Sequence, residues 1–201
     1  MKRQILGPLS EKKIGKSAQW TLNKSRILHE TPFRRYREDD LTFPSGRCAQ
    51  FHYVESPDVV MVVPFTPEKK IILLESYRVV IDRWVYELPG GLMPDISYSE
   101  RDPDELISFG ARELKEEVGA TYQSMELLGF QFMAKGVARL KNHYLLAKNV
   151  VRHDELAHEE GETIRSIVEL TQTEVLEWIQ RGKLIDGDST LGLLWAFSSM
   201  S

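Results

Sequence analysis

Pro89-Gly90-Gly91 and, further along, Arg112-Glu113-Leu114-Lys115-Glu116-Glu117-Val118-Gly119 decide how this chain reads. The three glutamates are spaced i, i+3 and i+4, so on a helix their carboxylates share one face within side-chain reach. Like charges so placed repel; in water the repulsion is small, and around a cation it becomes coordination. A set of oxygen donors with no histidine or cysteine close by selects hard cations, Mg²⁺ or Mn²⁺, over zinc. A strand that ends in two glycines can bring a backbone carbonyl close to such an ion, because no side chain stands in the way. Arg112 is placed to pair with a neighbouring carboxylate and fix its geometry. The competing reading is a solvated acidic helix face.

The surrounding residues supply the elements. Asp102-Pro103-Asp104-Glu105 predicts a helix start, with an Asp cap, proline at the first helical position and acids in the first turn; Gly119 predicts its end. On that helix Leu106, Phe109, Gly110 and Leu114 form the expected core stripe, which leaves Glu113, Glu116 and Glu117 to another face. Upstream, residues 50–54, 59–65, 71–76 and 84–88 are short apolar or alternating runs separated by turn formers, and read as strands. Strand 84–88 is expected to stop at Pro89-Gly90-Gly91, and 92–101 reads as an exposed loop. Residues 127–133, 143–147 and 164–170 are further strands. Thr171-Gln172-Thr173-Glu174 is a capping box for a helix through Arg181, and a last helix covers 188–198. The fold class is α+β, a mixed β-sheet packed between helices over residues 50–201. Residues 1–49, with strands at 20–28 and 33–37, form a smaller antiparallel β piece.

With 201 residues, 42% of them hydrophobic, the chain is long enough to bury a core. Its net charge of −4 argues against a nucleic-acid or membrane-surface binder, and implies that an anionic substrate is met through a cation. One cysteine, Cys48, leaves no internal disulfide and fits a reducing compartment, the cytoplasm. The N-terminus reads as neither signal peptide nor anchor, and no apolar run reaches the length of a membrane span.

Taken together, the double glycine, the capped helix and Arg-Glu-Leu ahead of the acids resemble the Nudix hydrolase box. Its pattern is Gly, five residues, Glu, seven residues, then Arg-Glu-apolar-x-Glu-Glu-x-Gly-apolar. The second half matches, with Ala120 at the final apolar position. Asp104 stands where the family has its first glutamate, and seven additional residues lie between Gly91 and that acid. Glu75-Ser76-Tyr77-Arg78 and Tyr86-Glu87-Leu88-Pro89-Gly90-Gly91 are similar to segments of the ADP-ribose pyrophosphatase branch. So is the later order of Glu160-Gly161-Glu162, a strand, a helix and a final helix bearing Leu194-Trp195. The likeness covers roughly residues 20 to 197.

The resemblance implies a Nudix fold and metal-dependent hydrolysis of the diphosphate linkage of a nucleoside diphosphate sugar, ADP-ribose foremost, with two or three Mg²⁺ or Mn²⁺ ions. It makes Glu113, Glu117 and the Gly90 carbonyl metal ligands with Glu162 a further one, and gives Glu116 and Arg112 supporting catalytic places. Glu160 becomes the candidate general base. Arg78 and Glu87 are assigned to substrate, and Trp20, Phe33 and Tyr36 are candidates to stack a nucleobase. Homodimerisation through the N-terminal strands is implied as well. The alternatives are hydrolysis of a dinucleoside polyphosphate and a Nudix-like domain that binds a nucleotide sugar without cleaving it. Tyr77, Trp84, Trp178 and Trp195 are read as core, and His143 as a strand histidine without a metal.

Overall fold

The computed structural model describes residues 18–97, 99–153 and 163–200. Along them run β1 (Thr21–Glu30), β2 (Arg35–Thr42), β3 (Cys48–Glu55), β4 (Val59–Pro64), β5 (Ile71–Arg78), β6 (Arg83–Glu87), β7 (Gly90–Leu92), α1 (Pro103–Val118), β8 (Ala120–Thr121), β9 (Ser124–Met133), β10 (Ala138–Lys148), β11 (Val151–Arg152), β12 (Ile164–Leu170), α2 (Gln172–Gln180) and α3 (Gly187–Ser199). They form two compact units. One holds the described residues up to Asp58, with Met93–Glu100 and Phe132–Lys141; the other holds Val59–Leu92, Arg101–Gln131 and the described residues from Asn142 onward. Among the described residues no helix is long and apolar enough to cross a membrane.

In the first unit β1, β2 and β3 form an antiparallel meander. The period-2 pattern of β2 sends Arg37, Asp39 and Leu41 inward. The buried polar groups find partners: Asp39 accepts from Ser25 Oγ and Tyr53 Oη, and Arg37 donates to Ser25 Oγ and Glu55. Ala138 and Arg139, at the start of β10, pair in parallel with Val54 and Glu55.

The second unit carries the main core. Asn142–Ala147 of β10 pairs in parallel with Val59–Pro64 of β4, and β4 pairs antiparallel with β7. Both faces of β4 are covered, which is why its sequence is an unbroken apolar run. Val60 and Val62 face Gly110 of α1, while Met61 and Val63 join Leu193, Ala196 and Phe197 of α3 in one cluster. The α+β class, with helices on both faces of a mixed sheet, thus holds. β12, β5 and β6 make a separate antiparallel sheet.

The β6 ladder ends at Glu87, just ahead of Pro89 as expected, and Gly90–Leu92 opens a new pairing with Val59–Met61 in the other sheet. Gly90 fits there because any Cβ would meet the Val60 carbonyl oxygen at 2.2 Å. Three expectations are corrected. Leu92 belongs to a strand, not to the loop. Glu113 and Glu117 are buried on the same helix stripe as Leu106, Gly110 and Leu114, since residues three, four and seven apart all fall within one face. Finally, Tyr77 and Trp84 are not core: they are cross-strand partners on an exposed part of the β5–β6 hairpin, and Arg165 covers the Trp84 ring at 4.4 Å.

Candidate active site

The site is built where β7 passes beneath α1. Asp102 caps that helix by accepting the Asp104 backbone N–H, Pro103 occupies the first turn, and Gly119 closes it in the left-handed conformation with its N–H on Lys115. So fixed, α1 directs Glu113 and Glu117 at the double glycine. The Gly90 N–H donates to Glu117 Oε2 at 2.7 Å. A Cβ on Gly91 would lie 2.7 Å from both Cδ and Oε2 of Glu113, so the Glu113 carboxylate occupies the room that the missing side chain leaves.

Arg112 lies across Phe109, its guanidinium carbon 4.7 Å from the ring centre, and donates from Nη2 to Glu113 Oε1 at 2.7 Å. Its Nη1 is 3.8 Å from Glu116 Oε2. Glu113 and Glu117 are only 7% exposed, whereas Glu116 sits half-buried beside Arg112. The acids therefore divide into a buried pair against the glycines and one at the rim. Asp104, at the position of the box's first glutamate, is exposed in the first turn of α1.

Arg78, near the end of β5 and opposite Arg83, reaches along the hairpin to Glu87 of β6, which lies opposite Leu74. The guanidinium donates from Nε to Glu87 Oε2 and from Nη2 to Oε1, both at 2.7 Å. Burial works against the Arg78 charge, yet the hydrogen bonds and charge of Glu87, with added attraction from Glu117 and Asp186, outweigh it and raise its pKa. The long, half-exposed side chain keeps one edge of its fork outward.

Of the sequence candidates, the structure brings Gly90, Arg112, Glu113, Glu116 and Glu117 into one locality and joins Arg78 to Glu87. Trp20 belongs to the first unit, edge-on to Phe43 at 4.7 Å, as does the exposed Phe33. Glu160 and Glu162 lie outside the described residues. Among the described residues no three histidine, cysteine or acidic side chains gather to hold a metal. The oxygen donors at hand are two carboxylates and a backbone carbonyl.

Sequence reading missed another buried acid, on β5. Glu75 accepts from Arg165 Nε at 3.0 Å, from Arg165 Nη2, and from Ser166 Oγ at 2.8 Å. The register of β12 against β5 shifts at Arg165, and two consecutive side chains both reach Glu75 there. The Arg165 hydrogen bond is the main cause that holds the Glu75 carboxyl below its ordinary value. No local signal announces this pair, since its members lie 90 residues apart.

No family model matches the chain. The methanol dehydrogenase activator of Bacillus methanolicus is 26% identical over 188 residues, 94% of either chain. The ADP-ribose pyrophosphatase of Mycobacterium tuberculosis is 27% identical over 172 residues, covering 85% of this chain and 79% of that one. A solved structure described as an ADP compounds hydrolase superposes with a TM-score of 0.70 at 21% identity, over 90% of this chain and 94% of the other. These relatives and the superposition support a place for the chain on the ADP-ribose pyrophosphatase branch of the Nudix hydrolases. The residues that resemble the Nudix box lie on β7 and α1. The seven residues beyond the family's spacing fall between β7 and α1, ahead of the two buried acids.

Proposed function

We propose that the chain is a Mg²⁺- or Mn²⁺-dependent hydrolase of nucleoside diphosphate sugars, ADP-ribose foremost, that works as a cytoplasmic homodimer. The observation that carries this reading is the burial of Glu113 and Glu117 against Gly90 and Gly91, with the Gly90 N–H on Glu117. Two near-buried carboxylates that converge on a glycine backbone, beside an arginine that steadies one of them, form a donor set suited to a hard cation.

Glu113, Glu117 and the Gly90 carbonyl would hold two or three ions together with Glu162, and the bound cations supply charge neutralisation at phosphate oxygens and acidity to water. Arg112 keeps Glu113 aimed, and Glu116 adds negative charge at the rim. Arg78 receives a phosphate oxygen on the edge of its fork that Glu87 leaves open, and Glu87 sets the angle of that fork. Glu160 takes a proton from the attacking water. The water oxygen bonds to phosphorus as the bridging P–O bond breaks, and the bond's electrons leave with the other phosphate. A nucleoside monophosphate and a sugar phosphate result. Trp20 and Phe33 offer flat faces for the base. The exposed Phe33, Tyr36 and Phe51 of the first unit support pairing of two copies there.

The test is a panel of nucleoside diphosphate sugars incubated with Mg²⁺ in ¹⁸O-water, with products identified by mass. ADP-ribose is expected to give AMP and ribose phosphate, and label in one product names the attacked phosphorus. Silence across the panel overturns the reading. Glu160→Gln is expected to abolish turnover with ion binding intact, and Glu162→Gln to weaken ion binding; full rate in both removes these roles.

A further inference from the structure

The segment that carries the site's backbone, Leu88-Pro89-Gly90, is held from three directions. The Pro89 carbonyl accepts the Val62 N–H of β4 at 2.9 Å. The Gly90 N–H goes to Glu117 of α1. The third hold comes from the far end of the chain: the Leu88 N–H donates to Ser189 Oγ, 2.8 Å away and 101 residues on. Ser189 is fully buried in the first turn of α3, and its own N–H is fixed by the cap residue Asp186 at 2.9 Å. Gly192, one turn later, lets the helix lie close, because a Cβ there would meet the Tyr144 ring at 2.7 Å and Leu88 Cδ1 at 3.1 Å. Tyr144 Oη in turn donates to the Asp188 carbonyl at 3.1 Å.

We propose that Ser189 is a positioning residue of the Nudix site. Its hydroxyl seats Leu88, and with it both neighbours that the site uses: Glu87, which holds the Arg78 fork, and Gly90, which offers its carbonyl to a cation. A core serine whose only duty is to stabilise could serve anywhere along α3. This one is bonded to the backbone directly between those two groups. Removing the oxygen leaves a buried N–H without its acceptor, and the strand end shifts to recover one. The inference rests on the proposed hydrolase reading.

The experiment compares wild type, Ser189→Ala, Ser189→Cys and Val175→Ala. The last truncates a buried side chain of α2 that shares the core cluster of Leu88 but makes no hydrogen bond to the Leu88–Gly90 backbone, and it serves as the stability control. Each is measured for melting temperature, for Mn²⁺ affinity by calorimetry without substrate, and for kcat and KM with ADP-ribose. Ser189→Ala is expected to lower Mn²⁺ affinity about tenfold and kcat about tenfold or more, in line with the loss of an outer hydrogen bond to a metal site. Val175→Ala is expected to melt earlier with affinity and kcat unchanged. Ser189→Cys, with a weak acceptor of similar size, is expected to fall between, and carries the test if the alanine variant does not fold. Affinity and kcat in the Ser189 variants equal to those of Val175→Ala overturn the positioning role while the hydrolase reading stands. A folded wild type that neither binds Mn²⁺ nor hydrolyses the panel overturns both.

Discussion

Arg78 gives Glu87 two parallel hydrogen bonds of 2.7 Å, so the arginine expected to meet the substrate already has half of its fork engaged by a carboxylate of its own sheet. Such a pair orients the guanidinium and leaves the outer edge for a ligand, a division of labour that a lysine cannot reproduce. Arg78→Lys is expected to raise KM about tenfold and to lower kcat/KM about a hundredfold, the scale of a lost charge-assisted bidentate contact. Glu87→Gln, which keeps one acceptor and sheds the charge, is expected to raise KM with a smaller effect on kcat. Steady-state kinetics on ADP-ribose check both, and unchanged constants for either variant remove its assigned part.

Glu117→Gln keeps an oxygen for the Gly90 N–H, so the variant is expected to fold as wild type while turnover falls roughly a hundredfold or more. Glu113→Gln is expected to behave alike. Glu116→Gln, at the half-buried rim beside Arg112, is expected to lose less than either. Circular dichroism, rates and Mn²⁺ titration separate these outcomes. Chelation of the wild type is expected to stop turnover, with recovery on adding Mg²⁺.

The two glycines are expected to fail differently. Gly90→Ala sets a Cβ against the Val60 backbone, which cannot move aside, so stability is expected to drop by about 3 kcal/mol. Gly91→Ala meets only the end of the Glu113 side chain. It is expected to fold, displace that carboxylate and lose turnover. Urea melts alongside activity assays distinguish the two, and an active Gly91→Ala protein contradicts the placement of Glu113.

Much of this was legible in the chain. The caps of α1 and α2, the glycine that ends α1 and the apolar runs of β4 and β5 are local signals, and local physics obeys them. The face taken by Glu113 and Glu117 was misread, because a charged residue on an apolar stripe is assigned outward by pattern alone. The glycine backbone that packs against them, with the Gly90 N–H on Glu117 and Arg112 on Glu113, makes their burial tolerable. Trp84 was misassigned for the converse reason: its ring is shielded by Arg165, from another strand, rather than by a core. Ser189 carries no signal at all, as its partner is a backbone N–H a hundred residues earlier.

Glu75 supplies a pH signature. Its pKa is lowered in the folded protein, chiefly by Arg165, so the stabilisation is present above the unfolded glutamate value of about 4.3 and is lost as pH falls through the folded one. The difference in melting temperature between wild type and Glu75→Gln is therefore expected to be constant from pH 7 down to about 5 and to shrink below about 4. A difference that grows in acid reverses the sign and rules out the Arg165 pairing as its source.

The stripe of α1 that seats Leu106, Gly110 and Leu114 also seats Glu113 and Glu117, which has a consequence for how such a protein can diverge. A substitution beneath the helix that rolls it slightly re-aims both acids at once, so selection registers it as lost turnover while the protein still folds. Change beneath α1 is thereby constrained by turnover as well as by packing. Novelty is channelled to places free of that double duty, such as the exposed Val79-Val80-Ile81 turn.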